Sequence, residues 1–546
     1  MALSPAVRDA ALRWIADDPD PATRDELQRL LVGALAGGPP AAGAAEELAA
    51  RMAGTPRFGT AGLRAPVRAG SAGMNVAVVR RATAGLAAWL TARGDGGRTV
   101  LVGRDARHGS AAFATAAAEV LAAAGFAVRA LGEPLPTPVL AFAVRAWGAV
   151  AGVQITASHN PAGDNGYKVY LGGEDRGAQL VEPADTEIEA AIAAAPPALS
   201  VPTAPVTPTD PAELVEAYLA RVATLPRGTA RRLRVALTPL HGVGGALAVH
   251  ALRRAGFDDV HVVRAQAAPD PDFGGLRFPN PEEPGTTDAL LALATEVRAD
   301  LAVALDPDAD RCALGVPDAD GRWRMLTGNQ VGALLGDHLL ATLDRAAHPD
   351  PLVAGTVASS TELRAVAAAR GARYAETPTG FKWIVRAGEG LVYGFEEALG
   401  HCVDPDAVRD KDGIAAAVLA ADLAATRAAA GGSLLDALDE LALAHGVYLT
   451  EAVTVRMAAD ARDAAVRRLA AAPEVDQRPL PDVFVLLGER TRIVVRPSGT
   501  EPKLKAYLQV VEPVEDPAGL PAARAAAAAR MAGLRTEVAT LLEPPA

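Results

Sequence analysis

Apolar and polar positions follow three regimes along the chain. Up to residue 53 the apolar residues recur at three- and four-residue spacing and predict helices over Ala6–Ile15, Pro21–Gly33 and Ala41–Met52, with Thr23 available as a cap. The middle of the chain alternates short continuous apolar runs with longer helical stretches. It reads as a helix at Asn75–Arg93, a strand at Thr99–Val102, a helix at Ala111–Ala124, a strand at Ala127–Leu131 and a buried strand at Val150–Ile155. Further strands are predicted at Arg234–Leu237, Asp259–Val263 and Leu301–Leu305, then near Leu352–Gly355 and Gly390–Tyr393. Strands alternating with helices imply βαβ sheets, whose functional loops sit at the carboxyl ends of strands. After Gly431-Gly432 and a helix at Leu434–Ala444 the pattern changes. It becomes strand Leu449–Arg456, helix Ala461–Ala471, strands Val483–Leu487, Arg492–Val495 and Lys503–Val511, and an Ala-rich helix Ala518–Leu542. That order predicts a separate α+β domain.

A chain of 546 residues exceeds one hydrophobic core. The Pro- and Ala-rich stretch 194–212 lacks apolar periodicity and marks a boundary, giving expected domains at 1–205, 206–317, 318–440 and 441–546. No short-period repeat is visible.

The formal net charge of −12, without a basic run, argues against nucleic acid or an anionic membrane as partner. An anionic substrate must then be held by a local cluster of cations. Two cysteines, Cys312 and Cys402, fit a reducing compartment. No signal peptide is evident, and no stretch of about 18 uncharged apolar residues could cross a bilayer. The expectation is a cytoplasmic, soluble, multidomain protein that binds neither membrane nor nucleic acid, as a monomer or small homo-oligomer.

Chemistry concentrates where strands end. The strand Val150–Ile155 runs into Thr156-Ala157-Ser158-His159-Asn160-Pro161, which sets one hydroxyl at the strand end. Asn165-Gly166 predicts a turn, and Tyr167–Tyr170 a return strand that brings Lys168 beside Ser158 to neutralise charge. Ser158 and His159, being adjacent, are expected to point apart, and the Gly-x-Ser-x-Gly elbow is absent, so a Ser–His hydrolase is a poor reading. Asp306-Pro307-Asp308-Ala309-Asp310-Arg311 caps the strand Leu301–Leu305. In an extended segment its three carboxylates share one side and require a hard cation, Mg²⁺ in preference to calcium, because Arg311 and Pro317 occupy the calcium loop's glycine and glutamate positions. Gly242-Val243-Gly244-Gly245 resembles a dinucleotide fingerprint, but Leu247 fills its last small position. In Arg496-Pro497-Ser498-Gly499-Thr500, an arginine, two hydroxyls and glycine-flanking N–H groups form an anion nest. Thr377–Lys382 and Gly394–His401 supply Lys382 and the paired Glu396 and Glu397. The pair suits either vicinal sugar hydroxyls or the first turn of a capped helix.

With the turn Arg57–Arg64, these motifs in this order resemble the α-D-phosphohexomutases, the family of phosphoglucomutase and phosphomannomutase, most closely the longer subgroup with an N-terminal helical extension and Gly-Phe-Glu-Glu-Ala in the sugar loop. The resemblance covers most of the chain. It implies three related α/β domains and a smaller C-terminal α+β domain around a central cleft. It further implies a hexose 1-phosphate/6-phosphate mutase working through a phosphoserine enzyme and a bisphosphorylated sugar. By this similarity Ser158 carries the phosphate and Asp306, Asp308 and Asp310, with a phosphoserine oxygen, hold Mg²⁺. Arg64 and Lys168 assist proton transfer, and His159 and Arg311 flank the reacting group. Glu396 and Glu397 meet the sugar, Lys382 the sugar or its phosphate, and Arg496, Ser498, Gly499 and Thr500 the distal phosphate. A sugar 1,6-bisphosphate is the implied activator. Ala398 stands where many hexose-specific members carry serine, which weakens inference about the preferred sugar. Phosphopentomutase and glucose-1,6-bisphosphate synthase activities on this scaffold, and a phosphosugar-binding protein without turnover, are the alternatives.

Overall fold

A computed structural model describes residues 3–36, 39–58, 62–471, 475–476, 483–497 and 503–542, which divide into two compact units. The first comprises residues 1–226, 234–312 and 404–418; the second comprises 227–233, 313–403 and 419–546.

The first unit opens with helices α1 (Pro5–Asp17), α2 (Pro21–Leu35) and α3 (Pro39–Arg51). Ser4 and Asp20 cap the first two through Val7 N–H and Ala22 N–H, each with proline in the first turn, where its missing donor costs nothing. Thr23, the expected cap, instead donates to Asp18. Their apolar stripes are not a loose appendage, since Ala11, Trp14, Leu27, Leu31 and Leu48 join the core of the first sheet.

That sheet holds β1 (Leu63–Pro66), β2 (Thr99–Arg104), β3 (Ala127–Ala130), β4 (Ala151–Ile155), β5 (Asp164–Leu171) and β6 (Ala178–Gln179) in the order β1-β5-β4-β2-β3, with β6 on β5. Strands β2, β3 and β4 are parallel, and β5 returns antiparallel to β4 with Lys168 opposite Gln154. Helices α4 (Val76–Ala92), α5 (Ser110–Ala123), α6 (Thr137–Ala146) and α7 (Ala184–Ala194) complete the layer structure. Asn75, expected inside α4, is its N-cap and accepts from Val78 N–H. The 194–212 segment is docked along the sheet: Thr209 N–H donates to Ala130 and Ala204 N–H to Glu119. A second parallel set, β7 (Val235–Thr238), β8 (Val260–Val262) and β9 (Leu301–Leu305), has β7 in the middle.

β10 (Cys312–Pro317), all but its first residue in the second unit, and β11 (Trp323–Met325) form a hairpin. Next comes the sheet of β12 (Leu352–Thr356), β13 (Arg373–Thr377), β14 (Leu391–Glu396) and β15 (Gly400–Cys402), in the order β13-β12-β14-β15. The C-terminal part is an antiparallel sheet of β16 (Val447–Arg456), β17 (Val475–Asp476), β18 (Phe484–Leu487), β19 (Thr491–Pro497) and β20 (Lys503–Glu512), ordered β16-β20-β19-β18-β17. The helix Leu520–Leu542 buries Ala527, Met531, Leu534 and Val538 in the same core, a spacing of three to four residues. No single described helix is long and apolar enough to cross a membrane.

Candidate active site

The loop after β4 and the loop after β9 meet at the carboxyl ends of their strands. Ser158, Asp306, Asp308 and Asp310 are each buried, and the Ser158 hydroxyl donates to Asp306 Oδ2 over 2.8 Å. The aspartates do converge, though not as an extended segment. Ala309 N–H donates to the Asp306 carbonyl and Ala309 takes φ +53°, so a tight turn, not strand alternation, aims the three carboxylates inward. One oxygen from each lies within 4.8 Å of the others. That is close to the roughly 4.2 Å between opposite oxygens of a Mg²⁺ ion whose ligands sit about 2.1 Å away. The Asp308 and Asp310 Oδ1 atoms are buried and accept no hydrogen bond from the described residues. Unpaired carboxylate oxygens in a dry site are what a hard cation would satisfy, so the donor set fits Mg²⁺.

The notional fingerprint Gly242-Val243-Gly244, after β7, packs against this loop. A Cβ on Gly242 would lie 2.4 Å from the Pro307 backbone and one on Gly244 2.4 Å from Ala309 Cβ, while Val243 N–H donates to the Pro307 carbonyl. The glycines give the aspartate turn its room; they cradle protein backbone.

Lys168, 1% exposed, donates to Asp308 Oδ2 at 2.7 Å and Asp310 Oδ2 at 2.8 Å. Its hydrogen bonds go to the aspartates rather than to the serine. Burial pushes its ammonium down, but Asp308 and Asp310 outweigh that and hold its pKa above the usual lysine value. Burial likewise raises Asp308, yet Lys168 and the Thr137 hydroxyl, which donates over 2.6 Å, hold it far below the usual carboxylate range. Asp306 has no cation so close. Burial and then the charges of Asp310 and Asp308 push it well up.

Adjacency does not separate Ser158 from His159: the hydroxyl and Nδ1 are 3.2 Å apart, because Ser158 adopts φ +53° and swings the two side chains to one side. Burial, then Arg311 and Arg64, hold His159 well below its ordinary pKa, so its imidazole is neutral. Arg64, on β1, donates to Asn160 Oδ1 at 3.0 Å, and Arg311 Nε stands 3.9 Å from Asp310 Oδ1. The expected turn at Asn165-Gly166 lies inside β5. The chain turns earlier, at Ser158–Gly163, and Asn165 Nδ2 donates to the His108 carbonyl and Ser110 hydroxyl.

Sequence reasoning missed three neighbours. Thr137 opens the unforeseen α6. Lys411 lies 3.4 Å from Asp310 Oδ2 and 3.5 Å from Asp410, itself bonded by Tyr170 and Gln179. Arg107, its guanidinium fully buried, donates to the carbonyls of Ser158 (2.5 Å), Asn160 (2.7 Å), Pro161 (2.7 Å) and Asp164 (3.0 Å). It thereby clamps the serine loop. The only signal was an arginine in a loop at the end of β2.

In the second unit, Lys382 sits in the short helix Phe381–Ile384, and Glu396 ends β14. Glu397 follows it in a turn, so no helix starts there. Its Oε2 accepts from Thr356 at 3.1 Å and Ser359 at 3.0 Å. Arg496, half-buried on β19, pairs with Lys505 on β20. Gly59, Thr60 and Ala61 of the first motif and Ser498, Gly499 and Thr500 lie outside the described residues.

Comparison with known proteins gives four consecutive matches. The alpha/beta/alpha domains I, II and III of phosphoglucomutase/phosphomannomutase match residues 55–198, 215–321 and 327–442, and that family's C-terminal domain matches 453–525. A probable phosphomannomutase of Haemophilus influenzae is 39% identical over 454 residues, 80% of this chain and 93% of that one. Human phosphopentomutase is 33% identical over 478 residues, covering 81% and 75%. Among solved structures, a putative phosphomannomutase from Thermus thermophilus superposes with TM-score 0.68 at 26% identity, covering 84% of this chain and 95% of that one.

Proposed function

The chain belongs to the phosphoglucomutase/phosphomannomutase family, and from that premise we propose that it interconverts hexose 1-phosphates and 6-phosphates through a phosphorylated Ser158. It is a mutase, an intramolecular phosphotransferase. The observation that carries the catalytic assignment is the Ser158 hydroxyl 2.8 Å from Asp306, at the edge of a carboxylate triad able to hold a divalent ion.

Phosphoryl transfer asks for positioning and charge neutralisation more than covalent help. In the first half-reaction the bond from phosphorus to Ser158 Oγ breaks and one to a sugar hydroxyl forms; the hydroxyl proton leaves to a neighbouring base. The sugar bisphosphate then returns its other phosphate to Ser158. Asp306, Asp308, Asp310 and a phosphoserine oxygen would hold Mg²⁺, which when bound neutralises the transferring group. Lys168, held protonated, and the arginines Arg64 and Arg311 add fixed positive charge around a phosphate carrying about −1.5 to −2. Neutral His159 stands next to the serine oxygen, able to take or return a proton. We assign Lys382, Glu396 and Glu397 to the sugar and Arg496, Ser498, Gly499 and Thr500 to the non-reacting phosphate, on the strength of the family resemblance. A sugar 1,6-bisphosphate serves as activator because it phosphorylates Ser158. Two buried free thiols, Cys312 and Cys402, support a reducing, cytoplasmic setting.

The test is intact-mass detection of one phosphate on Ser158, lost on adding glucose 1-phosphate, combined with coupled assays on glucose, mannose and ribose 1-phosphates primed with glucose 1,6-bisphosphate. Turnover undiminished in Ser158→Ala excludes the mechanism, and preference for ribose 1-phosphate would replace hexose by pentose.

A further inference from the structure

We propose that the first unit carries a second ligand site, separate from the Ser158–aspartate cluster, for a small amphipathic anion: an apolar body bearing one carboxylate, sulfonate or phosphate group. A cavity of about 400 Å³ lies among α1, the segment before β1, α4 and α7 and shares no lining residue with that cluster. Its volume falls within the range of small-molecule sites and far exceeds what one water fills.

The chemistry of the walls selects the ligand. Leu63, Val78 and Ile192 give the lining an apolar part. Two donors in the lining lack acceptors. Among the described residues, the indole N–H of Trp14, 9% exposed, has no partner, and Arg81 has a buried Nε with none and makes no hydrogen bond or ion pair. Buried donors are nearly always paired, so two in one lining mark a missing acceptor. The lining's carboxylate, Glu189, already accepts from Phe58 N–H at 2.7 Å. Two arginines, Arg57 and Arg81, against one glutamate leave the walls net positive within a chain of net charge −12. An anion with an apolar body meets each requirement at once. A sugar phosphate does not, because its hydroxyls would meet the apolar residues Leu63, Val78 and Ile192.

The probe is 8-anilinonaphthalene-1-sulfonate, titrated by fluorescence and equilibrium dialysis into the full chain with excess glucose 1,6-bisphosphate present to occupy the mutase site. One bound probe is expected. Arg81→Met should weaken binding about tenfold or more. Trp14→Phe, which keeps the ring but loses the N–H, should weaken it several-fold, and Ala190→Trp, filling the cavity, should abolish it. Each variant should melt as a folded protein and keep the parent mutase rate. Neutral N-phenyl-1-naphthylamine should bind at least about tenfold more weakly. The proposal falls if folded Arg81→Met and Ala190→Trp bind like the parent, if the neutral probe binds equally well, or if the bisphosphate displaces the probe.

Discussion

Replacing Arg107 with methionine isolates what holds the nucleophile in place. The guanidinium, itself out of contact with solvent, donates to four carbonyls of the Ser158–Asp164 loop and sits 3.4 Å from Asp105 Oδ2. It also lies 4.7 Å from the centre of the Phe273 ring. Hydrogen bonds to a charged group contribute about 1.5–3 kcal/mol each, so four simply added would give roughly 6–12 kcal/mol. The loop is only partly buried beyond Ser158, and water will re-pair some of its carbonyls once the arginine is gone. A better guide is the loss on removing one partner of a buried ion pair, about 3–5 kcal/mol, which still leaves a margin in a protein of ordinary stability.

The kinetic effect is separate. Ser158 is held at φ +53°, a left-handed conformation that costs a non-glycine residue about 1–2 kcal/mol and persists only while its surroundings enforce it. Without the clamp the loop relaxes, and a displacement of about 1 Å lowers the transfer rate about 100-fold. Quenched-flow measurement of phosphate leaving phospho-Ser158 should show that loss with KM within about threefold, because a positioning defect falls on kcat. Arg107→Lys keeps the charge but not the fork, and should lie between, about tenfold down. A folded Arg107→Met enzyme that transfers phosphate within about threefold of the parent rate would refute the clamp.

Metal binding should raise the melting temperature of the parent, by about 2.7 kcal/mol of stabilisation at a hundredfold excess over Kd, and Asp308→Asn should erase that rise; persistence of the full Mg²⁺-dependent shift would remove the triad as the site. Gly242→Ala places a methyl 2.4 Å from Pro307 backbone atoms, which cannot rotate away. We expect about 1–3 kcal/mol of destabilisation and weakened Mg²⁺ binding by calorimetry, and unchanged affinity would show that the turn tolerates the push. Glu362, 7% exposed, has its carboxyl raised by burial to about 8 from an ordinary 4.5. The folded state therefore holds a proton that the unfolded state has lost, so stability contributed by this group is full below pH 4.5 and declines, by about 1.4 kcal/mol per pH unit, until pH passes about 8. Urea melts at pH 6 and pH 9 should show Glu362→Gln flattening that decline; a parallel slope in the variant would remove Glu362 as its source.

How far the sequence carried depended on whether a feature was local. Strand ends, the Ser158 loop, the aspartate loop and four of the five strands of the C-terminal sheet were readable, because apolar runs and chemical motifs are contiguous; the two-residue strand Val475–Asp476 was not. The β1 strand and α6 were not. Leu63–Pro66 is too short to show a period and contains proline, and Thr137–Ala146 follows a Pro-rich turn that reads as loop. The turn assigned to Asn165-Gly166 followed a sound local rule. It failed because Asn165 spends its amide on His108 and Ser110 from another loop, and Gly166 is small because its Cβ would strike the Leu63 and Thr156 carbonyls at 2.6 Å. Both needs are tertiary.

The same distinction explains the two errors at the centre of the site. Serine and alanine were read with the backbone those residues prefer, which gave an extended aspartate triplet and a serine facing away from its histidine. Both Ser158 and Ala309 are left-handed instead, each at φ +53°. Glycine would relax either position, yet at Ser158 it would remove the hydroxyl. The strain is thus tied to the chemistry: a side chain is required where the chain must turn sharply. The relief is placed one layer out, at Gly242 and Gly244, which have no Cβ to block the turn, and at Arg107, which fixes the serine loop through its carbonyls. In the sequence those glycines imitate a nucleotide fingerprint and the arginine an ordinary surface cation. Their meaning lies in what they make room for and hold, which only the packed loops disclose.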